Sequence, residues 1–166
     1  MFQTERCFIM RITDQDLTDI IKLYASEEVR RFLGGPVEAA KVKKNILKLL
    51  TQSNIHHYWC IRDKKSLNFI GLISLDTHHD GESIEVSYQL LPEWWGAQYA
   101  SETIKAIIDY AFYEINLTRL VAETQAANIA SCKVLEKLGM TLKEKVQRFG
   151  AEQYIYELNQ SEYKIS

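Results

Sequence analysis

Three groups of residues have the types and spacing to do chemistry. The first is the run Leu90-Leu91-Pro92-Glu93-Trp94-Trp95-Gly96-Ala97-Gln98-Tyr99-Ala100-Ser101, where a strand pattern gives way to a loop and then to a helical pattern that opens on small residues. A helix start offers about four unpaired N–H groups and a partial positive charge. Small side chains there let a phosphate approach the backbone. The same run also reads as an ordinary strand-to-helix turn plugged by aromatic rings. The second group is Asn128 and Ser131, three residues apart and so on one face near the start of a helix. Taken singly, Asn128 is a helix cap and Ser131 a solvent-facing hydroxyl. The third is Glu85, which alternates with Ser87 and Gln89 on one face of a strand whose other face carries Ile84, Val86, Tyr88 and Leu90. A carboxylate inside a strand is costly unless it is hydrogen-bonded, salt-bridged at the surface or set in a cleft. Two further patterns are weaker. His56-His57 and His78-His79 are adjacent pairs, and neighbours in a strand point to opposite faces, so no metal site is expected. Cys7, Cys60 and Cys132 are far apart and form no Cys-x-x-Cys, so they are expected to be reduced and buried.

These residues need elements to position them. Phe8 to Ile12 reads as a strand, with Thr13 or Asp14 capping a helix whose apolar residues are Leu17, Ile20, Ile21 and Tyr24. A break at Leu33-Gly34-Gly35-Pro36 precedes a helix over Glu38 to Leu50. Tyr58 to Ile61 and Phe69 to Leu75 flank a polar turn and read as a hairpin, followed by a strand over Ser83 to Leu90. Then come a helix from about Tyr99 to Ile115, a strand over Arg119 to Thr124, a helix over Asn128 to Leu138 stopped by Gly139, and a closing hairpin around Gly150. The order β-α-α-β-β-β-α-β-α-β-β predicts an α/β sheet with helices on both faces and a parallel pair around the central helix. In such sheets ligands sit where strands end and helices begin.

The chain has 166 residues, 46% hydrophobic and 25% charged, with seven glycines and two prolines. That composition excludes disordered and collagen-like proteins. One domain over 1–166 is expected. A formal charge of −2 argues against binding nucleic acid by bulk charge. No apolar run approaches the roughly 18 residues that cross a bilayer, and the charged opening lacks a signal-peptide core. A soluble, cytoplasmic protein is therefore expected.

Together the two helix-opening motifs resemble the GNAT superfamily of N-acetyltransferases, most closely its ribosomal-protein N-terminal (RimJ/RimL-like) branch. That branch reads P-x-x-W-G-x-G-Y-A-x-E, then N-x-x-S-x-x-[VL]-L-E-K-x-G-[FM]. The corresponding segments are Pro92 to Glu102 and Asn128 to Met140. Thr4-Glu5-Arg6 followed by Phe8-Ile9-Met10-Arg11 is similar to the branch's opening. The resemblance implies a three-layer α-β-α fold whose mixed sheet of about seven strands has a parallel pair splayed at an acetyl-CoA site. It implies direct transfer of acetyl from acetyl-CoA to a primary amine, first of all a protein N-terminal α-amine. A small amine acceptor (polyamine, amino acid or antibiotic) and a non-catalytic acyl-CoA-binding module are the alternatives. It places Leu90 and Leu91 beside the pantetheine arm, Trp95, Gly96, Ala97, Gln98, Tyr99, Ala100 and Ser101 at the phosphate loop, and Asn128 in contact with the cofactor. Lys133 is expected to offer charge to the phosphates or to lie on a solvated helix face. Ser131 falls where some relatives hold a hydroxyl near the thiol, and Glu85 is the candidate base, since an attacking amine must lose a proton. Homodimer formation through Tyr154, Ile155 and Tyr156 is an expectation of the same kind.

Two positions depart from the pattern. Gln98 stands where the loop has its central glycine, which costs about 1 kcal/mol if the position needs a positive φ. Leu135 stands where many members have a tyrosine that protonates the departing thiolate, leaving Ser131 as the first candidate donor.

Overall fold

The computed structural model describes residues 1–51 and 57–163. His56 lies outside the described residues. The strand patterns form a continuous sheet of eight strands, β1 (Phe2–Gln3), β2 (Cys7–Arg11), β3 (His57–Asp63), β4 (Phe69–Thr77), β5 (Ile84–Leu90), β6 (Arg119–Gln125), β7 (Thr141–Arg148) and β8 (Ala151–Asn159), in the order β1-β2-β3-β4-β5-β6-β8-β7. The count exceeds the expected seven because the two-residue β1 pairs with β2, Phe2 opposite Ile9. Its ring packs within 4.7 Å of Tyr110 and 5.6 Å of Trp59, which fixes an otherwise short edge.

The helices are α1 (Leu17–Ala25), α2 (Glu27–Arg30), α3 (Ala39–Thr51), α4 (Tyr99–Asp109) and α5 (Ile129–Lys137). Alternation along the strands sorts their side chains between two cores. On one face Ile9, Trp59, Ile73, Val86, Leu90, Leu120 and Tyr156 pack with Ile104, Ile107 and Ile108 of α4 and Cys132 and Leu135 of α5. On the other, Cys60, Phe69, Leu72 and Leu91 pack with Ile20, Leu23, Val29, Val42 and Ile46 from α1, α2 and α3. The result is the expected three-layer architecture. All three cysteines are buried and free of disulfides. Ile155 and Tyr156 of the last hairpin are buried within this chain.

The long helix expected over 99–115 is interrupted. After Asp109 the chain makes a π-helical turn over Tyr110–Glu114 in which Ile115 N–H donates to the Tyr110 carbonyl. Such a turn inserts one residue and rotates the residues after it about the helix axis. Tyr110, where the turn begins, packs against Phe2 and Trp59, and Phe112 is fully buried.

β5 and β6 are the parallel pair, and they are in register only at Glu85 opposite Val121. β5 is held by β4 along its whole length, from Thr77–Ile84 to Gly71–Leu90, while β6 pairs throughout with β8. The two strands thus part from each other toward Leu90 and Gln125, and that gap is where α4 and α5 begin.

Candidate active site

The loop after β5 is shaped by two residues in the left-handed region, Gly96 at φ +75° and Gln98 at φ +65°. A glycine adopts this freely; Gln98 does so at a cost. Of the two backbone conformations open to it, Gln98 therefore takes the strained one. Its carbonyl accepts the Glu102 N–H, the first bond of α4, which leaves the earlier amides of that helix directed outward. Its side chain accepts a hydrogen bond from Lys137 Nζ at 2.7 Å, tying the loop to the end of α5. Trp95, Gly96, Ala97 and Gln98 are all exposed. A cleft of about 780 Å³ opens beside them, lined by Ala97, Gln98, Ser101, Lys137, Gly139 and Tyr163. Trp94 packs edge-on against Tyr99 at 5.1 Å as a plug, and Trp95 is 51% exposed with its indole N–H donating to the Leu90 carbonyl at 2.8 Å. Leu91 N–H is already used by the Ile70 carbonyl on β4, and its side chain is buried.

The start of α4 is anchored from the far end of the chain. The Glu102 carboxylate accepts from the Thr4 hydroxyl, from Arg6 N–H at 2.8 Å and from Arg6 Nε at 2.7 Å. The Arg6 guanidinium also lies 4.2 Å over the Tyr99 ring. Burial opposes ionisation of Glu102, but the hydrogen bonds from Thr4 and Arg6 outweigh it and hold its pKa below the ordinary range. The opening tripeptide and the last residue of the loop motif are therefore one structural unit.

Across the gap, Asn128 caps α5 by accepting the Ser131 N–H at 3.2 Å, as its position predicts. Ser131 does not point to solvent. Its Oγ lies 2.7 Å from the Tyr88 hydroxyl. Burial raises the Tyr88 pKa to about 12, against the opposing pull of Ser131. Strand alternation marks Tyr88 as an inward core residue, but it carries no sign of this hydroxyl contact. Lys133 is exposed on α5, and Leu135 is 1% exposed in the core under α4 and α5.

On the opposite sheet face lies Glu85. Its pKa is raised, first by burial, with His78 and the Glu123 N–H (3.3 Å to Glu85 Oε1) pulling the other way. Beside it Glu123 is bound by His78 Nε2 at 2.6 Å and by Arg148 through Nε and Nη2 at 3.1 and 3.0 Å. Asp76 sits opposite Glu85 on β4 and accepts from the Tyr58 hydroxyl. Ser87, on the same face, is exposed at mid-strand. Arg30 of α2 reaches this face through Gln89 at 3.4 Å. Arg148 thus belongs to the Glu123 cluster, and Glu27 and Glu28 of α2 are exposed in the helical layer on this same face.

One position carries no sequence signal at all. A Cβ on Gly71 would lie 2.1 Å from the Gln89 carbonyl oxygen and 2.8 Å from Leu90 Cα. β4 can approach the end of β5 this closely only because residue 71 has no side chain.

Known proteins share this fold. The model of the acetyltransferase (GNAT) domain matches residues 6–141. YoaA of Bacillus subtilis (strain 168), an uncharacterized N-acetyltransferase, is 32% identical over 164 residues, covering 95% of this chain and 89% of the relative. Among solved structures, a spermidine N-acetyltransferase from Vibrio cholerae in complex with CoA and spermine superposes with a TM-score of 0.83 at 20% identity, over 94% of this chain and 96% of that one. The ribosomal-protein-S5-alanine acetyltransferase from Vibrio fischeri superposes at 0.80 and 21% identity, over 99% and 98% of the two chains. Both likenesses are of fold. On the domain match and on a relative 32% identical along nearly the whole chain, the chain belongs to the GNAT family of acetyl-CoA-dependent N-acetyltransferases.

Proposed function

We propose that this chain binds acetyl-CoA in the gap between β5 and β6 and transfers its acetyl group to the α-amine of a protein N-terminus. The observation that carries the reading is the divergence of these strands above Glu85–Val121, with helix starts on one side and a carboxylate on the other. Bound there, acetyl-CoA supplies an acyl group already activated as a thioester. The outward amides at the start of α4 and the exposed Gly96–Gln98 loop receive the phosphates, and Lys133 and Lys137 add positive charge beside them. Asn128 orders the start of α5 and offers its side-chain amide to the cofactor. Leu90 lies at the strand end beside the pantetheine arm, where the Trp95 indole must release its carbonyl.

The amine arrives over the open face marked by Ser87. Glu85 takes the proton that the amine must lose before or during attack. A raised pKa suits this role, because a stronger base holds the proton better. The exposed mid-strand position of Ser87 favours an extended acceptor such as a peptide end. A second reading has its own observation. Asp76, Glu85 and Glu123 form an acidic row on this face, which would also draw a small polycationic amine.

The test is thiol release from acetyl-CoA with a panel of N-terminal peptides and of small amines. Peptide-dependent release is expected, and release with polyamines alone would replace the first reading by the second. Glu85→Gln is expected to lower kcat by about 10²-fold or more, in line with loss of a positioned base. Turnover within twofold of wild type would remove Glu85 from that role.

A further inference from the structure

We propose that Tyr88 is a positioning residue for the departing sulfur, donating its phenolic proton to Ser131 Oγ and so aiming the Ser131 hydroxyl into the gap between β5 and β6. This rests on the acetyl-transfer reading and assigns a part of its site.

The helix beyond the gap offers no phenol of its own. Leu135 is apolar and 1% exposed, and it stands one turn beyond Ser131 on the same side of α5. The phenol comes instead from the facing strand. Tyr88 projects from the β5 face that packs against α4 and α5, and its hydroxyl stops 2.7 Å from Ser131 Oγ. A phenol and a serine in contact can share their proton in either sense, since each hydroxyl is one donor and an acceptor. Two constraints select the direction. Ser131 is the only hydrogen-bond partner of the Tyr88 hydroxyl among the described residues, so a buried phenolic proton directed elsewhere would go unpaired. The Ser131 backbone is pinned by Asn128, so its side chain has little freedom except rotation about Cα–Cβ. With Tyr88 donating, the serine proton is the one left over, and it points away from the ring. The buried phenol stays protonated at neutral pH, and Cys132, the residue after Ser131 in α5, is buried.

In the transfer the acceptor nitrogen bonds to the acetyl carbon as the carbon–sulfur bond breaks, and sulfur keeps the electron pair. The Ser131 O–H stabilises that charge. Sulfur takes its final proton from water, which recovers the one Glu85 removed from the amine. Both hydroxyls keep their protons, so neither needs to be a strong acid.

The experiment compares wild type with Tyr88→Phe, Ser131→Ala, Ser131→Thr and the double variant Tyr88→Phe/Ser131→Ala. Calorimetry with CoA and with desulfo-CoA reads the contact to sulfur without turnover. Wild type is expected to prefer CoA by about fivefold, the scale of one net hydrogen bond, and Tyr88→Phe and Ser131→Ala each to lose that preference. In turnover Tyr88→Phe is expected to lower kcat tenfold or more with KM for acetyl-CoA within about threefold. The double variant should match Ser131→Ala, and Ser131→Thr should recover at least half of the loss. Multiplying effects in the double variant would overturn the proposal, as would an unchanged CoA preference in Tyr88→Phe. Should Tyr88→Phe not fold, the Ser131 pair decides: a Ser131→Ala enzyme that keeps the sulfur preference overturns it. Wild type that binds no CoA overturns both this inference and the acetyl-transfer reading, whereas normal binding and transfer with an indifferent Tyr88→Phe overturns this one alone.

Discussion

Single residues set the geometry of the loop after β5. Gln98 carries φ +65° where glycine would be unstrained. Gln98→Gly should therefore stabilise the fold by up to about 1 kcal/mol, less the exposed Lys137 contact it gives up. That corresponds to a rise of about 2–4 °C in melting temperature, and a lower one would show that the Lys137 tie matters more than the strain. Gly71 acts in the opposite sense. Gly71→Ala pushes a methyl into the Gln89 carbonyl and must displace the end of β5. A loss of about 1–3 kcal/mol is expected from such overpacking, together with weaker acetyl-CoA affinity in calorimetry. Unchanged affinity would mean that the end of β5 does not touch the cofactor. The first of these positions is legible in the sequence and the second is not. Gln98 interrupts a motif, so its departure is visible. Gly71 sits within an ordinary strand pattern, and what it permits is a contact with a strand 18 residues later. Alternation likewise places Tyr88 on its face but cannot say that its hydroxyl reaches Ser131.

At the scale of elements, α4 is held at its start by residues from the beginning of the chain. Removing the Glu102 carboxylate frees the Thr4 hydroxyl and the Arg6 N–H and guanidinium together. Glu102→Ala should cost about 1–3 kcal/mol in urea unfolding at neutral pH. The pH dependence has a definite sign. Glu102 and Asp16 both have folded pKa values below the ordinary range, each because hydrogen bonds overcome burial. Their stabilisation is full above the unfolded values, about 4.3 and 3.9, and is lost as pH falls through the lower folded ones. Glu102→Ala should therefore lose less stability than wild type between pH 5 and pH 3, and parallel losses would contradict the assignment. The order and type of the long elements are legible because periodicity reports the face that is buried. The π-helical turn at Tyr110–Glu114 is not, because the chain there keeps a helical pattern while tertiary packing with Phe2 and Trp59 sets the backbone.

At the scale of the whole molecule, the helices divide the work of the sheet. α4 and α5 cover one face and begin at the gap, while α1, α2 and α3 cover the other and leave Ser87 exposed. In the proposed transfer the cofactor enters from one side and the acceptor from the other. The layer arrangement is legible from element order, whereas the gap is not: it depends on the register of two parallel strands more than 30 residues apart, which pair only at Glu85–Val121. The most direct test of acetyl-CoA binding and transfer is calorimetric titration of the chain with acetyl-CoA, followed in the same sample by thiol release on adding amines. One-to-one binding that weakens in Asn128→Ala is predicted, with thiol release that depends on the amine. A chain that binds no acetyl-CoA, with the loop at Gln98 intact and folded, would contradict it.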